Sequence, residues 1–304
     1  MKEGYRKQVD LLLDVIEIAL ADKRVALKGG TAINLFLRDF PRYSVDIDLC
    51  YLPIEERTLT FKHLQDILLT IKARVEKDLK YKVAASNTLD GKKEVKLVVS
   101  SKDVEIKIEP NFTLRGGLFE PEVRSLSPRA VKELKREISV QCLSMADTYG
   151  GKICAALDRQ HPRDLYDVKY LFENEGITEK VKDSFIYYLI SHNRPLDELL
   201  NPKFKDITDP FAKEFVEMAM EEVSVQDLLQ SRERLVKEIR SALNDRDKKF
   251  LLGFVVNKPN WTLVRDAKIK DYPSVKWKLF NQEKMSETKR TIYLNNVETL
   301  FEKF

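Results

Sequence analysis

The stretch LKGGTAINLFLRDFPRYSVDIDL, Leu27–Leu49, joins a glycine turn (Gly29, Gly30, Thr31) to a pair of acids, Asp46 and Asp48, set in an apolar run. RVAL just before it has the β-branched and apolar texture of a short strand that stops at Gly29. TAINLFL reads as a helix with Thr31 near its start, where side-chain and backbone donors cap best. SVDIDLCYL alternates and reads as a strand. Side chains of a strand point alternately to its two faces, so Asp46 and Asp48 share one face while Val45, Ile47 and Leu49 take the other. Carboxylates side by side repel, and burying them without compensation is costly. A divalent cation relieves that cost, and Mg²⁺ is commonly held by one or two carboxylates together with substrate phosphates. A glycine turn opening a helix offers backbone N–H groups and a positive dipole end to a phosphate. Turn and acids together describe a metal–triphosphate site. The plainer alternative is an edge strand carrying two solvated acids after an ordinary turn.

Metal-assisted nucleotidyl transfer calls for a further acid, both to complete the cation site and to help deprotonate the attacking hydroxyl. DVEIKIEPN supplies it: Glu105, Lys107 and Glu109 alternate with Val104, Ile106 and Ile108. Glu109, at the strand end, is the expected third carboxylate, and Glu105 is the reserve. Alternating charges are equally natural on any half-exposed strand.

Around this core the chain changes texture. Val9, Leu12, Leu13, Ile16 and Leu20 recur at helical spacing, and Glu55–Leu79 is a long helical pattern. YKVAASN, EVKLVVSS and DVEIKIEPN are β-type runs joined by the turns TLDGKK and SK. After about Pro128 helical patterns dominate, at Ser144–Arg159, Arg163–Asn174, Glu179–Ser191, Phe211–Val223 and Val225–Leu243, with one short strand at EISVQCL. The expected fold is therefore α+β: a mixed sheet flanked by helices over residues 1–127, then a mostly helical C-terminal domain over 128–304, and the resemblance given below makes the sheet nucleotidyltransferase-type. No Gly/Ser-rich linker separates the two.

Composition narrows the class. Of 304 residues, 43% are hydrophobic and 34% charged, which suits a globular protein with a sizeable core, and a net charge of +4 permits a nucleic-acid partner without demanding one. Cys50, Cys142 and Cys154 are too few and too scattered for a disulfide framework or a zinc site. The first residues carry charges within their apolar stretch, unlike a signal peptide, and no window is apolar enough to span a bilayer. A cytoplasmic protein with no membrane partner is expected, a monomer being slightly favoured. His63, His161 and His192 lack ligand spacing, and Cys154 reads as a small helix residue rather than a nucleophile.

The second half sharpens the reading. MADTYGGKICAALDRQHPRDLYDVKYL, residues 145–171, follows an acid with Lys152, Ala155-Ala156 and an Arg-Asp-x-x-Asp segment at 163–167, and the end carries DKKFLLGFVVNKPNWTL and VKWKLFN. Together with the opening stretch, these resemble the AbiEii/AbiGii toxin family of the nucleotidyltransferase superfamily, along nearly the whole chain. The resemblance implies an Mg²⁺-dependent enzyme (Mn²⁺ being the alternative), a toxin paired with a cognate antitoxin in a toxin–antitoxin or abortive-infection, phage-defence system. It implies an NTP as donor and an RNA acceptor, the 3′ end of tRNA in some relatives. Carried over to matching positions, Lys28, Gly29, Gly30, Thr31, Lys152 and Arg159 would bind the nucleotide. Asp46 and Asp48 would bind metal, joined by Glu109 as the third carboxylate expected above, and Lys152 with Asp164 or Asp167 would join the catalytic set, the helical domain thus completing the active site.

The residues themselves leave alternatives open. On the helix 144–159, Lys152, Ala155, Ala156 and Arg159 share one side, the small alanines inviting close approach and the basic groups suiting phosphate. Asp164 leans toward the apolar stripe of the next helix and Asp167 lies at its border, so an ion pair with Lys152 or Arg159 competes with catalysis. Gly150-Gly151 inside a helix has no visible packing reason and suggests close approach by substrate or domain. Trp261 and Trp277 among lysines either stack on bases or anchor the last segment. A nucleotide- or antitoxin-binding protein with little turnover, or an enzyme that nucleotidylates protein, remains in competition with RNA modification.

Overall fold

The computed structural model describes residues 2–87 and 94–304; the expected turn TLDGKK, 88–93, lies outside the described residues. The chain divides into two compact units, Met1–Ser144 with Glu214–Val223, and Met145–Lys213 with Ser224–Phe304.

The first unit runs α1 (Lys2–Ala19), β1 (Val25–Lys28), α2 (Gly29–Thr31) continued by a π-helical segment (Ala32–Leu37), β2 (Asp46–Tyr51), α3 (Arg57–Arg74) prolonged by a π-helical segment (Val75–Leu79), β3 (Lys82–Asn87), β4 (Glu94–Ser101), β5 (Val104–Asn111), β6 (Glu122–Ser125), α4 (Pro128–Leu134) and β7 (Ser139–Cys142). The sheet is mixed, ordered β3-β4-β5-β2-β1-β7-β6, with β2–β5 and β1–β7 parallel and the remaining pairs antiparallel. The apolar stripe of α1, including Val9, Leu12 and Ile16, is fully buried in the same core as Ile47 and Leu49 of β2 and Ile106 and Ile108 of β5. Strand β2, which carries the acids, is thus central, with a core face and a polar face. Strand β6 escaped the sequence reading because it is mostly exposed, with Val123 74% exposed, and so has no apolar alternation.

The second unit is helical: α5 (Met145–Arg159), α6 (Pro162–Glu173), α7 (Glu179–Ser191), α8 (Leu196–Leu200), α9 (Thr208–Glu214), α10 (Val225–Ala242), α11 (Asp245–Val255), α12 (Pro273–Glu283) and α13 (Glu287–Phe301). Several of its helix starts are capped locally. His161 Nδ1 accepts from the Arg163 N–H ahead of Pro162, and Ser224–Asp227 and Asn244–Asp247 form capping boxes.

Two expectations are corrected. Strand β7 and helix α4, assigned to the second domain by a boundary at 127/128, belong to the first unit, where β7 pairs with β1. The expected helix Phe211–Val223 ends at Glu214. Phe215, Met218 and Ala219 have helical spacing and are buried, but their backbone is spent elsewhere. Met218 O accepts from Tyr43 N at 2.9 Å, Met220 N donates to Pro41 O at 2.9 Å, and Ala219 bridges Arg42. Segment 214–223 therefore belongs to the first unit as a strap of turns with one bridge, beside the stretch that precedes β2.

Gly150 and Gly151 find their packing reason within the second unit. A Cβ on Gly150 would lie 2.7 Å from Ser184 Cβ and 2.8 Å from the Phe185 backbone nitrogen, and one on Gly151 would lie 3.3 Å from the Tyr188 ring. Helix α5 thus presses against α7 at backbone distance. Gly150→Ala is expected to lower stability by about 1–3 kcal/mol through overpacking. Gly151→Ala should be near neutral, because the ring can yield while helix propensity improves by about 1 kcal/mol. Paired urea unfolding curves measure the difference.

Candidate active site

The polar face of the sheet gathers alternate charges. Lys28 of β1 is the register partner of Asp48, and on the other side of β2 Asp48 pairs with Glu109 and Asp46 with Lys107 of β5. Glu109 in turn meets Lys96 of β4, with Nζ and Oε1 3.6 Å apart. A row Lys96–Glu109–Asp48–Lys28 therefore crosses four strands, with adjacent carboxylates at its centre. Glu105 sits at the start of β5 opposite Ser100, away from this row, and its carbonyl accepts from Gln8 Nε2. Side chains on neighbouring strands stand about 5 Å apart, close enough for Asp48 and Glu109 to share a cation. Among the described residues no group of three or more His, Cys, Asp or Glu side chains is assembled as a metal site. A cation bound by Asp46 and Asp48 would take its remaining oxygen ligands from substrate or water.

The glycine turn is built around the acids. Gly29 has φ +73°, a conformation that side chains disfavour. A Cβ there would run into the Asp48 carboxylate, lying 3.1 Å from its Cγ and closer still to Oδ2. Gly30 is constrained from another side: its missing Cβ would lie 2.8 Å from both Arg42 Nη2 and Ser44 Oγ. Thr31 is fully buried, and its hydroxyl donates to the Asp46 carbonyl at 2.5 Å and lies 3.1 Å from Ser44 Oγ. That hydroxyl, expected to meet phosphate, instead ties the helix start to the acid strand. Asn34 Nδ2 donates to Gly30 O at 2.8 Å, closing the turn. The first N–H groups of such a helix have no partner within it. Sequence reasoning missed Arg42, only 2% exposed, whose Nη1 donates to Tyr43 O at 2.8 Å. It sits in an unremarkable FPRYS segment, and only the close approach to Gly30 reveals it.

In the second unit, Lys152, Asp164 and Asp167 form a buried ion cluster. Lys152 Nζ is 2.8 Å from Asp164 Oδ1 and 3.0 Å from Asp167 Oδ2, and these side chains are at most 8% exposed. Arg159 Nη2 reaches Asp164 Oδ2 at 2.8 Å, but the Arg159 side chain is 62% exposed. The ion pairing left open by the sequence is thus formed, with Lys152 as internal counter-ion and Arg159 as the outward-facing cation. Ala156 is buried beneath this side of α5. The thiols take no part: burial pushes Cys142 up to about 12 and Cys154 higher, so both stay protonated at neutral pH. Trp261 packs on Phe250 and Phe254, with ring centroids 5.6 and 6.5 Å away, and so anchors the last segment.

A mixed sheet that holds paired acids on one face of a central strand, beside a glycine turn that opens a helix, is the arrangement of a nucleotidyltransferase. The chain belongs to the AbiEii family: the family model described as nucleotidyl transferase AbiEii toxin, type IV toxin–antitoxin system, matches residues 10–281. The protein is accordingly a nucleotidyltransferase toxin, and its family implies a nucleotide substrate and an antitoxin partner. No curated protein matches the chain. Among solved structures it is similar in fold to MenT4, a nucleotidyltransferase toxin from Mycobacterium tuberculosis H37Rv, with 13% identity, a TM-score of 0.61 and coverage of 97% of this chain and 93% of that one. No helix among the described residues is long and apolar enough to cross a membrane.

Replacing Lys152 by Met removes the buried cation shared by Asp164 and Asp167, Arg159 remaining on Asp164, and unfolding should show a loss of about 3–5 kcal/mol. Adding Asp164→Asn should recover part of it. Gly29→Ala should cost about 1–2 kcal/mol for the left-handed backbone alone. It should also abolish nucleotidyl transfer by displacing Asp48, while Gly4→Ala, in open space, leaves both unchanged.

Proposed function

We propose that the protein transfers a nucleotide from an Mg²⁺-bound NTP to the 3′ end of an RNA, tRNA being the expected acceptor, and that an antitoxin restrains this activity. The observation that carries the reading is the Asp46–Asp48 pair on the polar face of β2, with Gly29 left bare so that the Asp48 carboxylate can lie against the phosphate-binding turn. Asp46 and Asp48 would hold the cation, which when bound neutralises the triphosphate and polarises the α-phosphate. The turn N–H groups at Gly29 and Gly30, with Lys28 beside them, would receive the β- and γ-phosphates. The acceptor hydroxyl oxygen forms a bond to the α-phosphorus, the bond from that phosphorus to the bridging oxygen breaks, and pyrophosphate leaves. Glu109, beside Asp48 in register, is placed better than Glu105 to take the hydroxyl proton. For the second unit we assign Lys152, Asp164 and Asp167 to positioning, since they are buried and ion-paired with one another, and Arg159, which holds Asp164 while most of its side chain is exposed, to meeting an anion. The RNA acceptor is supported by the family resemblance, and a net charge of +4 permits it.

The Glu109–Lys96 pair favours a second reading, a nucleotide-binding protein with little turnover, because Glu109 is turned to a lysine 3.6 Å away rather than left for an acceptor hydroxyl. Incubation with each α-labelled NTP, Mg²⁺ and total RNA separates the two. Wild type should label RNA, and Asp48→Asn should reduce labelling by about 100-fold or more, as expected when a cation worth several kcal/mol is lost. Labelling that survives Asp48→Asn overturns the mechanism. Calorimetric NTP–Mg²⁺ binding without any label transfer supports the second reading, and label on protein redirects the acceptor.

A further inference from the structure

The second unit contains an open cavity of about 360 Å³ between α12, α13 and the connection from α7 to α8. None of the residues discussed as the active site lines it. Its apolar lining includes Trp277 and Ile292, which are 51% and 55% exposed. Its polar lining is rich in amides, Asn193, Asn281, Gln282 and Asn296, beside the acids Asp197 and Glu198 and the lysines Lys278 and Lys289. Gln282 is 3% exposed, yet neither its Nε2 nor its Oε1 has a hydrogen-bond partner among the described residues. A buried amide left unpaired costs about 1–3 kcal/mol, so native folds seldom keep one without a use.

The walls are fixed independently of any ligand. Lys278 Nζ donates to the carbonyls of His192, Asn193 and Arg194 at 2.7, 3.1 and 2.8 Å, pinning the connection to α12, and Asn296 Nδ2 donates to Asp197 Oδ2 at 3.3 Å. All three protons of that ammonium are used, which leaves Lys289, exposed at the rim, as the cation able to meet a ligand.

A half-exposed indole beside a buried amide that offers a donor and an acceptor together matches a flat heterocycle carrying both on one edge. Side-chain amides pair with base edges, and aromatic faces stack on any base. A hydrocarbon chain would leave the Gln282 amide unpaired. The cavity lies within the range of small-molecule sites and is of a size for one nucleotide. We propose that it binds a single nucleobase, with Trp277 stacking on the ring, Gln282 pairing with its edge and Lys289 meeting the attached phosphate. The base is carried either by a free nucleotide or by an unpaired position of an RNA strand. This inference stands independently of the acceptor assigned above.

The test uses the full chain with Asp48→Asn, in EDTA, so that no cation assists binding at the acid face. Tryptophan fluorescence and calorimetry follow titration with AMP, GMP, CMP, UMP and short single-stranded RNA homopolymers. Saturable binding of at least one base type is expected, weakened roughly tenfold or more by Trp277→Ala and by Gln282→Leu, with the melting temperature of Gln282→Leu unchanged or raised. Saturation by a mononucleotide identifies a free nucleotide as the source, and binding of oligonucleotide alone identifies the strand. Absence of binding, or binding that neither substitution weakens, overturns the proposal. So does a lower melting temperature in Gln282→Leu, which would show that the amide serves the fold.

Discussion

The hydrogen bond from the Thr31 hydroxyl to the Asp46 carbonyl is the contact on which the acid site depends. It joins the first turn of a helix to the first residue of a strand, elements separated in sequence by the whole RDFPRYS connection. Once it is made, the turn and the acids cannot move independently. The two glycines are its consequence, because the helix start then lies so close that Asp48 occupies the space over Gly29, while Arg42 and Ser44 occupy the space over Gly30. A side chain at either position would push apart the groups that must act together. The strap at 214–223 reinforces the arrangement by bonding to Pro41 and Tyr43, which fixes the approach to β2.

Around that joint the sheet solves an electrostatic problem. Asp46, Asp48 and Glu109 on neighbouring strands would repel strongly in a site with limited water. Lys28, Lys107 and Lys96 lie among them, so the face is close to neutral without a ligand. Such a face remains stable before a cation arrives, yet keeps two carboxylates on β2 oriented the same way. The Lys96–Glu109 contact is exposed and of a kind worth little, about 0–1 kcal/mol, so a cation can compete for Glu109 at small cost.

What was legible in the sequence follows from range. Alternation along β2 is a property of one strand, so the shared face of Asp46 and Asp48 could be read directly. That Asp48 stands beside Glu109 rather than Glu105 depends on the parallel register of β2 and β5, strands separated by α3, β3 and β4, and no local pattern encodes it. Helical spacing at Phe215, Met218 and Ala219 misled because burial against a partner segment produces the same pattern as burial along a helix, and backbone bonds to Pro41 and Tyr43 decide between them. Thr31 shows a different limit. A hydroxyl at a helix start suits a phosphate and an interior carbonyl equally, and only its full burial distinguishes the two.

The second unit shows how a motif can encode support rather than contact. Lys152, Asp164 and Asp167 have the residue types of a catalytic set, and distances of 2.8 and 3.0 Å with near-complete burial also make them an internal ion cluster, in which one lysine faces two aspartates and Arg159 meets the remaining charge on Asp164. Breaking such a cluster costs far more than forming it contributes, so its members are interdependent, and that interdependence holds α5 and α6 in a single relative position. Gly150 does the same for α5 and α7 by permitting backbone contact. Helix α5 is thereby located from two sides, by charge and by packing, and what it presents outward is Arg159, with one nitrogen held by Asp164 and most of its side chain in solvent. A guanidinium oriented in this way has lost part of its freedom before any anion binds, which lowers the entropic cost of recognition and explains why a buried triad should accompany an exposed arginine.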